Sequence, residues 1–417
     1  MQHHLAKLKN KTRHWKYDPL SPVRYVYRAL RTLLKWVLSV IYLIPAILFR
    51  VFGFSFPPFF TARIGHLMIE PDCYVKEMRL GLAPERRPII LASKRNVANQ
   101  AAISYWKKYY TVIASPIIAM VLRPLTWHPL TTVDITKYAF DISGTVAFPR
   151  IQALWEGRPP LLEINDTDKR RGEKCLERMG VPSGTWFVCI HSREGGYTHS
   201  ANDEDLNGYR NSRIENYIAA VDYVIARGGM CIRMGDPTMQ RIREKAGLID
   251  YAHHPERCDW LDLYIAANCR LFLGNSSGAF IMSAVFGVPV ACANMVPMSG
   301  IYPFSANDIA IPKLYKERSS GKLIPFNQIL GQPMGNFRAT IEFDRQGIEL
   351  VENSADEIRD LLVERSRRDD DPGFSYSEED ELLQQRFRAL FRPGHYGYGS
   401  KSRVGTAFLQ KYRNLLP

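Results

Sequence analysis

Three short polar stretches each follow an apolar run, and each holds side chains suited to binding an anion. The first is His191-Ser192-Arg193-Glu194-Gly195-Gly196-Tyr197. An arginine on a glycine-rich loop suits a diphosphate, because its planar fork meets phosphate oxygens in pairs. The same spelling suits a loop arginine held in a salt bridge. The second is Arg233-Met234-Gly235-Asp236-Pro237. Here glycine permits close approach and the carboxylate can accept from hydroxyls, which fits base or ribose recognition. A plain turn, with Asp236 capping a helix and Pro237 at its first position, fits equally. The third is Asn275-Ser276-Ser277-Gly278, which opens an apolar helix. Its hydroxyls and free backbone N–H groups could meet an anion, or its serine could serve only as a cap. A fourth stretch, Asp166-Thr167-Asp168, could hold Mg²⁺ or Mn²⁺ beside a diphosphate, although Lys169-Arg170-Arg171 follow at once and helix capping is its other use.

The elements that position these stretches follow from the pattern of apolar runs. Residues 87–93 and 110–115 suit buried strands, with helical spacing at 96–109 and a helix opening on Pro116. The run 161–165 suits a strand, and 168–180 suits a helix that stops at Gly180, where a domain boundary is placed. Further on, strands are expected at 185–192, 230–234, 270–274 and 288–294, the last of these closing the sheet. Helices are expected at 215–229, 238–246, 259–267 and 279–287. Residues 348–366 read as strand, cap and helix, with Ser354 and Glu357 forming a capping box. Alternating short strands and helices define an open α/β sheet, whose ligands bind at the carboxyl ends of the strands. The three polar loops should therefore share one edge.

Charge and apolar runs set the ends of the chain apart. The net charge is +13, yet residues 1–50 hold ten Lys/Arg against Asp18 alone, a net of +9 that leaves +4 for the other 367 residues. A basic appendage suits nucleic acid or an anionic membrane surface. Residues 36–49 are uncharged and apolar, and an aromatic run follows Arg50. A span needs about 20 apolar residues; this run is 14 long and interrupted by Pro45. The expectation is a monotopic or re-entrant anchor with its basic flank on the cytoplasmic leaflet, the alternative being a buried core helix. The seven cysteines are dispersed, without C-x-x-C spacing, and suit a reducing compartment. Residues 367–381 read as a solvated linker and 382–392 as a basic amphipathic helix that packs on the first domain or touches the membrane.

The strand-loop around HSREGGY resembles the H-x-R-x-G-D-[YF] loop of fucosyltransferases that use GDP-fucose, and Asp259…Cys269…Asn275-Ser276-Ser277 resembles their later motif. A broader resemblance covers nearly all of residues 61–366 through Arg63-Ile64-Gly65-His66-Leu67, FVCIHSREGGY, Tyr209-Arg210-Asn211, IRMGDP and LGNSSG…FGVP. That order is similar to a bacterial family of glycosyltransferases associated with surface-polysaccharide synthesis. The resemblance implies two Rossmann-like domains facing a cleft (GT-B), a nucleotide-sugar donor in the C-terminal domain and no metal or other cofactor. By it, Arg193 would hold the donor diphosphate, with Ser276 and Ser277 facing it and Arg233 and Asp236 near the nucleoside. His191, Tyr197, Arg63, Gly65, Arg210, Asn211, Asp259, Asn275, Gly235 and Gly278 come into the binding set with their motifs. Gly196 stands where the fucosyltransferase loop has Asp, so the donor sugar stays open.

Glycosyl transfer needs donors for the departing diphosphate and, for inversion, a base on the acceptor hydroxyl. His66, Glu70 and Glu194 are the candidate bases. The expected organisation is a membrane-associated segment at 1–60, an acceptor-side domain at 61–180, a donor domain at 181–366, and a linker and tail at 367–417. The expected partners are the donor, a glycan or lipid-linked acceptor and the cytoplasmic face of the inner membrane. Nucleic acid is not among them, because the body is only mildly basic and lacks zinc or aromatic-basic motifs. The competing readings are a metal-dependent transferase built on Asp166 and Asp168, a sugar-nucleotide epimerase or hydrolase, and a non-enzymatic membrane scaffold.

Overall fold

The computed structural model describes residues 21–93, 96–138, 147–195, 203–301 and 305–417. Gly196, Tyr197 and the basic residues before Ser21 lie outside the described residues. The chain divides into two compact units. One contains residues 1–58, 85–93 and 110–134, and the other contains 59–84, 94–109 and 135–417, so the stretch 61–180 contributes to both.

The smaller unit holds a parallel three-stranded sheet, in the order β1 (Phe54–Ser55), β2 (Arg87–Leu91), β3 (Thr111–Ile113). Two helices, Ser21–Ile41 and Leu43–Val51, precede it. No single described helix is long and apolar enough to cross a membrane, and this pair is bent by 62°. The aromatic run after Arg50 is partly core, because Phe56 is fully buried beside Ala46, Ile89 and Leu125. Phe49 meets Phe54 and Phe56 edge-on, at 5.7 and 5.0 Å between ring centres. The helix Pro116–Leu122 begins as expected, with Ser115 as its cap and Pro116 in the first turn.

The larger unit is built on a seven-stranded sheet whose pairs are all parallel. Its strands are β4 (Phe187–Ile190), β5 (Met230–Arg233), β6 (Leu248–Ile249), β7 (Leu271–Gly274), β8 (Val290–Met295), β9 (Ile309–Pro312) and β12 (Arg403–Val404). The spatial order β12-β9-β8-β7-β4-β5-β6 starts in the middle at β4, winds outward through β5 and β6, then crosses to the other side of β4 at β7. This is the doubly wound order, and its direction reverses between β4 and β7. Strands β4, β7 and β8 are buried at every position, as strands covered on both faces must be. Cys189, Cys231 and Cys292 fill this sheet as small apolar side chains, and burial pushes their thiols up. A separate antiparallel pair joins β10 (Leu314–Glu317) to β11 (Ile348–Val351).

Several sequence expectations need correction. Residues 161–165 form no strand: the Leu161 carbonyl accepts from Tyr109 Oη at 2.8 Å instead of a ladder partner. Residues 238–246 form no helix, because carboxylates take their backbone donors. Asp236 accepts from Thr238 N at 2.9 Å, Glu194 from Gln240 N at 2.9 Å and Asp250 from Ile242 N at 3.3 Å. Strand β8 does not close the sheet, since β9 and β12 extend it. The tail helix Glu378–Arg388 packs on the larger unit through Phe387, whose ring meets Phe326 at 5.3 Å. The Ser354–Glu357 capping box forms as expected.

The helix Ile64–Arg79 is set against the turn after β7 by two glycines. A Cβ on Gly65 would stand 3.0 Å from Gly278 Cα, and one on Gly278 would stand 2.9 Å from Gly65 N. Gly278 has φ −78°, a conformation open to any residue, so the requirement is space alone. Gly278→Ala should lower the unfolding free energy by about 1–3 kcal/mol in urea denaturation of the full chain, as overpacking does. An unchanged midpoint would mean that the two backbones separate freely.

Candidate active site

A cavity of about 340 Å³ lies in the larger unit, at the carboxyl ends of β4, β5 and β7. Its wall includes His191, Arg193 and Glu194 after β4, Met234, Gly235 and Asp236 after β5, and Ser276, Ser277 and Gly278 after β7. The three polar loops thus share one edge at the point where the winding reverses, which is where such sheets take ligands. Arg63, Gly65 and His66 close the wall from the helix Ile64–Arg79.

Arg193 is fixed on several sides. Its backbone N–H donates to Asn275 Oδ1 at 3.1 Å, and its Nη1 donates to the Asn207 carbonyl at 3.3 Å and to Asn211 Oδ1. Asn275 is fully buried and does not line the cavity. Its amide donates to the Arg210 carbonyl at 3.1 Å and to Ser212 Oγ at 2.8 Å, tying the loops after β4 and β7 to residues 207–212. The structure places Asn211 of this stretch against Arg193. Arg210 reaches the cavity wall, whereas Asn211 supports Arg193 from behind.

Arg233 does not reach the cavity. It is fully buried and donates to Glu194 Oε1 at 2.7 Å, Asp250 Oδ1 at 3.1 Å and the Gln240 carbonyl at 2.7 Å. Glu194 spends its other oxygen on Gln240 N, so both oxygens are engaged. This arrangement makes Arg233 and Glu194 a brace for the floor of the site. Asp236 forms an Asx turn with Thr238 and caps no helix. Asp259 stands outside the wall, accepting from Gln100 N at 2.8 Å. Asp168 accepts from Tyr105 Oη at 2.7 Å and Asn165 Nδ2 at 2.8 Å, while Asn165 caps the helix Asp166–Arg178.

His66 and Glu70 are one helical turn apart and form a pair. His66 Nδ1 lies 2.6 Å from Glu70 Oε1, and Glu70 Oε2 accepts from Phe60 N at 2.9 Å. The Glu70 side chain is 3% exposed and His66 36% exposed. A buried carboxylate therefore fixes the ring through Nδ1 and leaves Nε2 as the nitrogen open to a ligand. His191 is held differently. Burial pushes it down to about 4, and its Nδ1 donates to the Met234 carbonyl at 3.0 Å, so the ring is neutral at pH 7.

The wall also contains residues that sequence reasoning missed: Asn99, Arg257, Asp262, Tyr396 and the methionines 239, 282 and 295. Asp262 accepts from Tyr251 Oη at 2.8 Å, and burial raises its carboxyl to about 6, against the opposing charge of Arg257. It lies one turn after Asp259 in the same helix, and of the two it is Asp262 that lines the cavity. Asn99 caps the helix Gln100–Trp106 through Ala102 N at 2.8 Å, a signal the sequence does contain. Tyr396 comes from a tail stretch that gave no reading.

No family model matches the chain, and no curated protein matches it. Solved structures to which it is similar include a glycosyl transferase of family 9 from Veillonella parvula, at 12% identity and TM-score 0.44, covering 75% of this chain and 98% of that one. ADP-heptose LPS heptosyltransferase II from E. coli is similar at 11% identity and TM-score 0.37, covering 57% and 83%. The E. coli heptosyltransferase WaaC with ADP is similar at 10% identity and TM-score 0.35, covering 76% and 98%.

His191 gives a pH signature. Its folded value of about 4 lies below the unfolded value of 6.5, so the unfolded chain binds more protons between them and stability falls as pH drops through that window. Between pH 7 and 5 the chain should lose about 2 kcal/mol through this group. Denaturant titrations at both pH values check this: His191→Asn should remove about that much of the difference, and an equal loss in the variant would contradict it.

Proposed function

We propose that the chain is a glycosyltransferase that takes a sugar from a nucleotide-sugar donor, without a metal ion and with inversion, onto a glycan or lipid-linked acceptor in cell-surface glycan synthesis at the cytoplasmic face of the inner membrane. One observation carries the reading. A single cavity at the winding reversal brings together a buttressed arginine, two serines and a histidine paired with a buried carboxylate. Arg193 and Ser277 supply donors where a diphosphate would sit, the Ser276 hydroxyl being already given to the Val296 carbonyl at 2.6 Å, and placed donors of this kind stabilise a departing anion by a few kcal/mol. Gly235, Asp236 and Asp262 offer close approach and carboxylates to a ribose, with Met234 and Met239 as apolar wall for a base.

His66 is the base. Its Nε2 takes the proton of the acceptor hydroxyl as that oxygen attacks the anomeric carbon. The bond from that carbon to the diphosphate oxygen breaks, and the nucleoside diphosphate leaves with the electron pair. Glu70 holds the ring and balances the imidazolium that forms. Glu194, with both oxygens engaged, positions the loop and takes no proton.

The test is donor turnover by the full chain, read as release of the nucleoside diphosphate. His66→Ala should lower kcat by about 10²–10⁴ with KM nearly unchanged, as loss of a general base does. Arg193→Ala should raise the donor dissociation constant by about 10–100-fold, the effect of losing charged hydrogen bonds. Turnover by His66→Ala at the parent rate would remove the base from this account.

A further inference from the structure

Large apolar side chains are exposed very unevenly. Of the 27 that are exposed among the described residues, 20 belong to the smaller unit. That unit also carries thirteen Lys/Arg against three Asp/Glu, a net of +10 out of the chain's +13. An isolated exposed leucine is ordinary, but a concentration of this kind on one unit marks an interaction surface.

The helix Ser21–Ile41 is two-faced along its length. Val26, Leu30, Leu33, Val37 and Val40 recur at helical spacing and are exposed, between 40% and 60% of each side chain. Arg28, Arg31 and Lys35 run along the other side. The helix Leu43–Val51, after the 62° bend, exposes Ile44 at 71% and Val51 at 74%. A third element is distant in sequence. The helix Pro116–Leu122 buries none of its residues, exposes Ile117, Ile118, Met120 and Val121, and is followed by Arg123. It is tied to the bend, since Tyr42 Oη donates to the Val121 carbonyl at 2.7 Å. Close by, His128 Nε2 meets the Ser39 carbonyl at 3.1 Å and Lys35 Nζ lies 5.4 Å from the Trp127 ring centre.

We propose that these three helices form one composite surface that docks on an anionic lipid bilayer, with Pro116–Leu122 a second insertion element beside the N-terminal pair. The proposal rests on the membrane-face location proposed above, and it enlarges the anchor expected within residues 1–60 to a helix, Pro116–Leu122, that the sequence reading did not assign to the membrane. The bend and the lack of a sufficient single helix favour lying in the interface over spanning. The charge selects the occupant: a basic unit with uncovered apolar helices matches an anionic headgroup layer over acyl chains, and such binding weakens as salt rises.

The experiment is flotation of the full chain with vesicles of phosphatidylethanolamine and phosphatidylglycerol, against vesicles of phosphatidylcholine alone. The parent should float with the anionic vesicles, at least tenfold more than with the neutral ones at low salt. The variant I117E/M120E should partition at least tenfold more weakly, with its thermal midpoint and nucleotide binding unchanged. If the parent floats and the variant floats equally, the composite surface is wrong although the N-terminal anchor stands. If the parent floats with neither vesicle, the location itself is wrong. A parent dimer that the variant dissolves would identify a second copy as the occupant and overturn the proposal.

Discussion

The candidate site depends on the contact between Gly65 and Gly278. Two backbone segments more than two hundred residues apart meet so closely that neither has room for a β-carbon. The contact fixes the start of the helix Ile64–Arg79 against the turn after β7. It thereby brings His66, with Glu70 buried behind it, to the same cavity as Ser276 and Ser277. Any wider separation would part the His66–Glu70 pair from the turn that carries Ser276 and Ser277. Glycine serves here through its small size, since the conformation at Gly278 is one that any residue adopts.

The rest of the site is built from buried polar braces. Asn275 joins Arg193, Arg210 and Ser212 in one network, and Arg233 joins Glu194, Asp250 and Gln240 in another. Buried polar groups are costly unless paired, so such networks hold their loops to a single arrangement. Asn275, Asn211 and Arg233 lie behind the wall and hold these loops, and wall residues such as Glu194 and Ser276 are themselves held by partners. Arg233 is the clearest case. Its motif suggested a ligand-facing arginine, yet its full burial and three partners make it part of the scaffold.

Much of the fold was legible because the sheet strands announce themselves. Four-residue runs such as Phe187–Ile190 and Leu271–Gly274 are apolar throughout, which only doubly covered strands need to be. Their polar ends located three of the cavity's walls. Other features were hidden for physical reasons. Residues 238–246 look helical by composition, but an Asx turn on Asp236, the Asp250 carboxylate and, from the loop after β4, Glu194 take N–H groups there, the last of which no local pattern reveals. Strand β12 has two residues and comes from a stretch without periodicity. Asp262 was passed over for Asp259 because both sit in one helical turn and only packing tells them apart.

In the function proposed above, this cavity binds a nucleotide-sugar through its diphosphate. Isothermal titration of the full chain with ADP, GDP, UDP and dTDP in the presence of EDTA tests it most directly. One of the four should bind, and Arg193→Ala should weaken that binding without changing the fold. Failure of all four to bind a demonstrably folded chain would contradict the account.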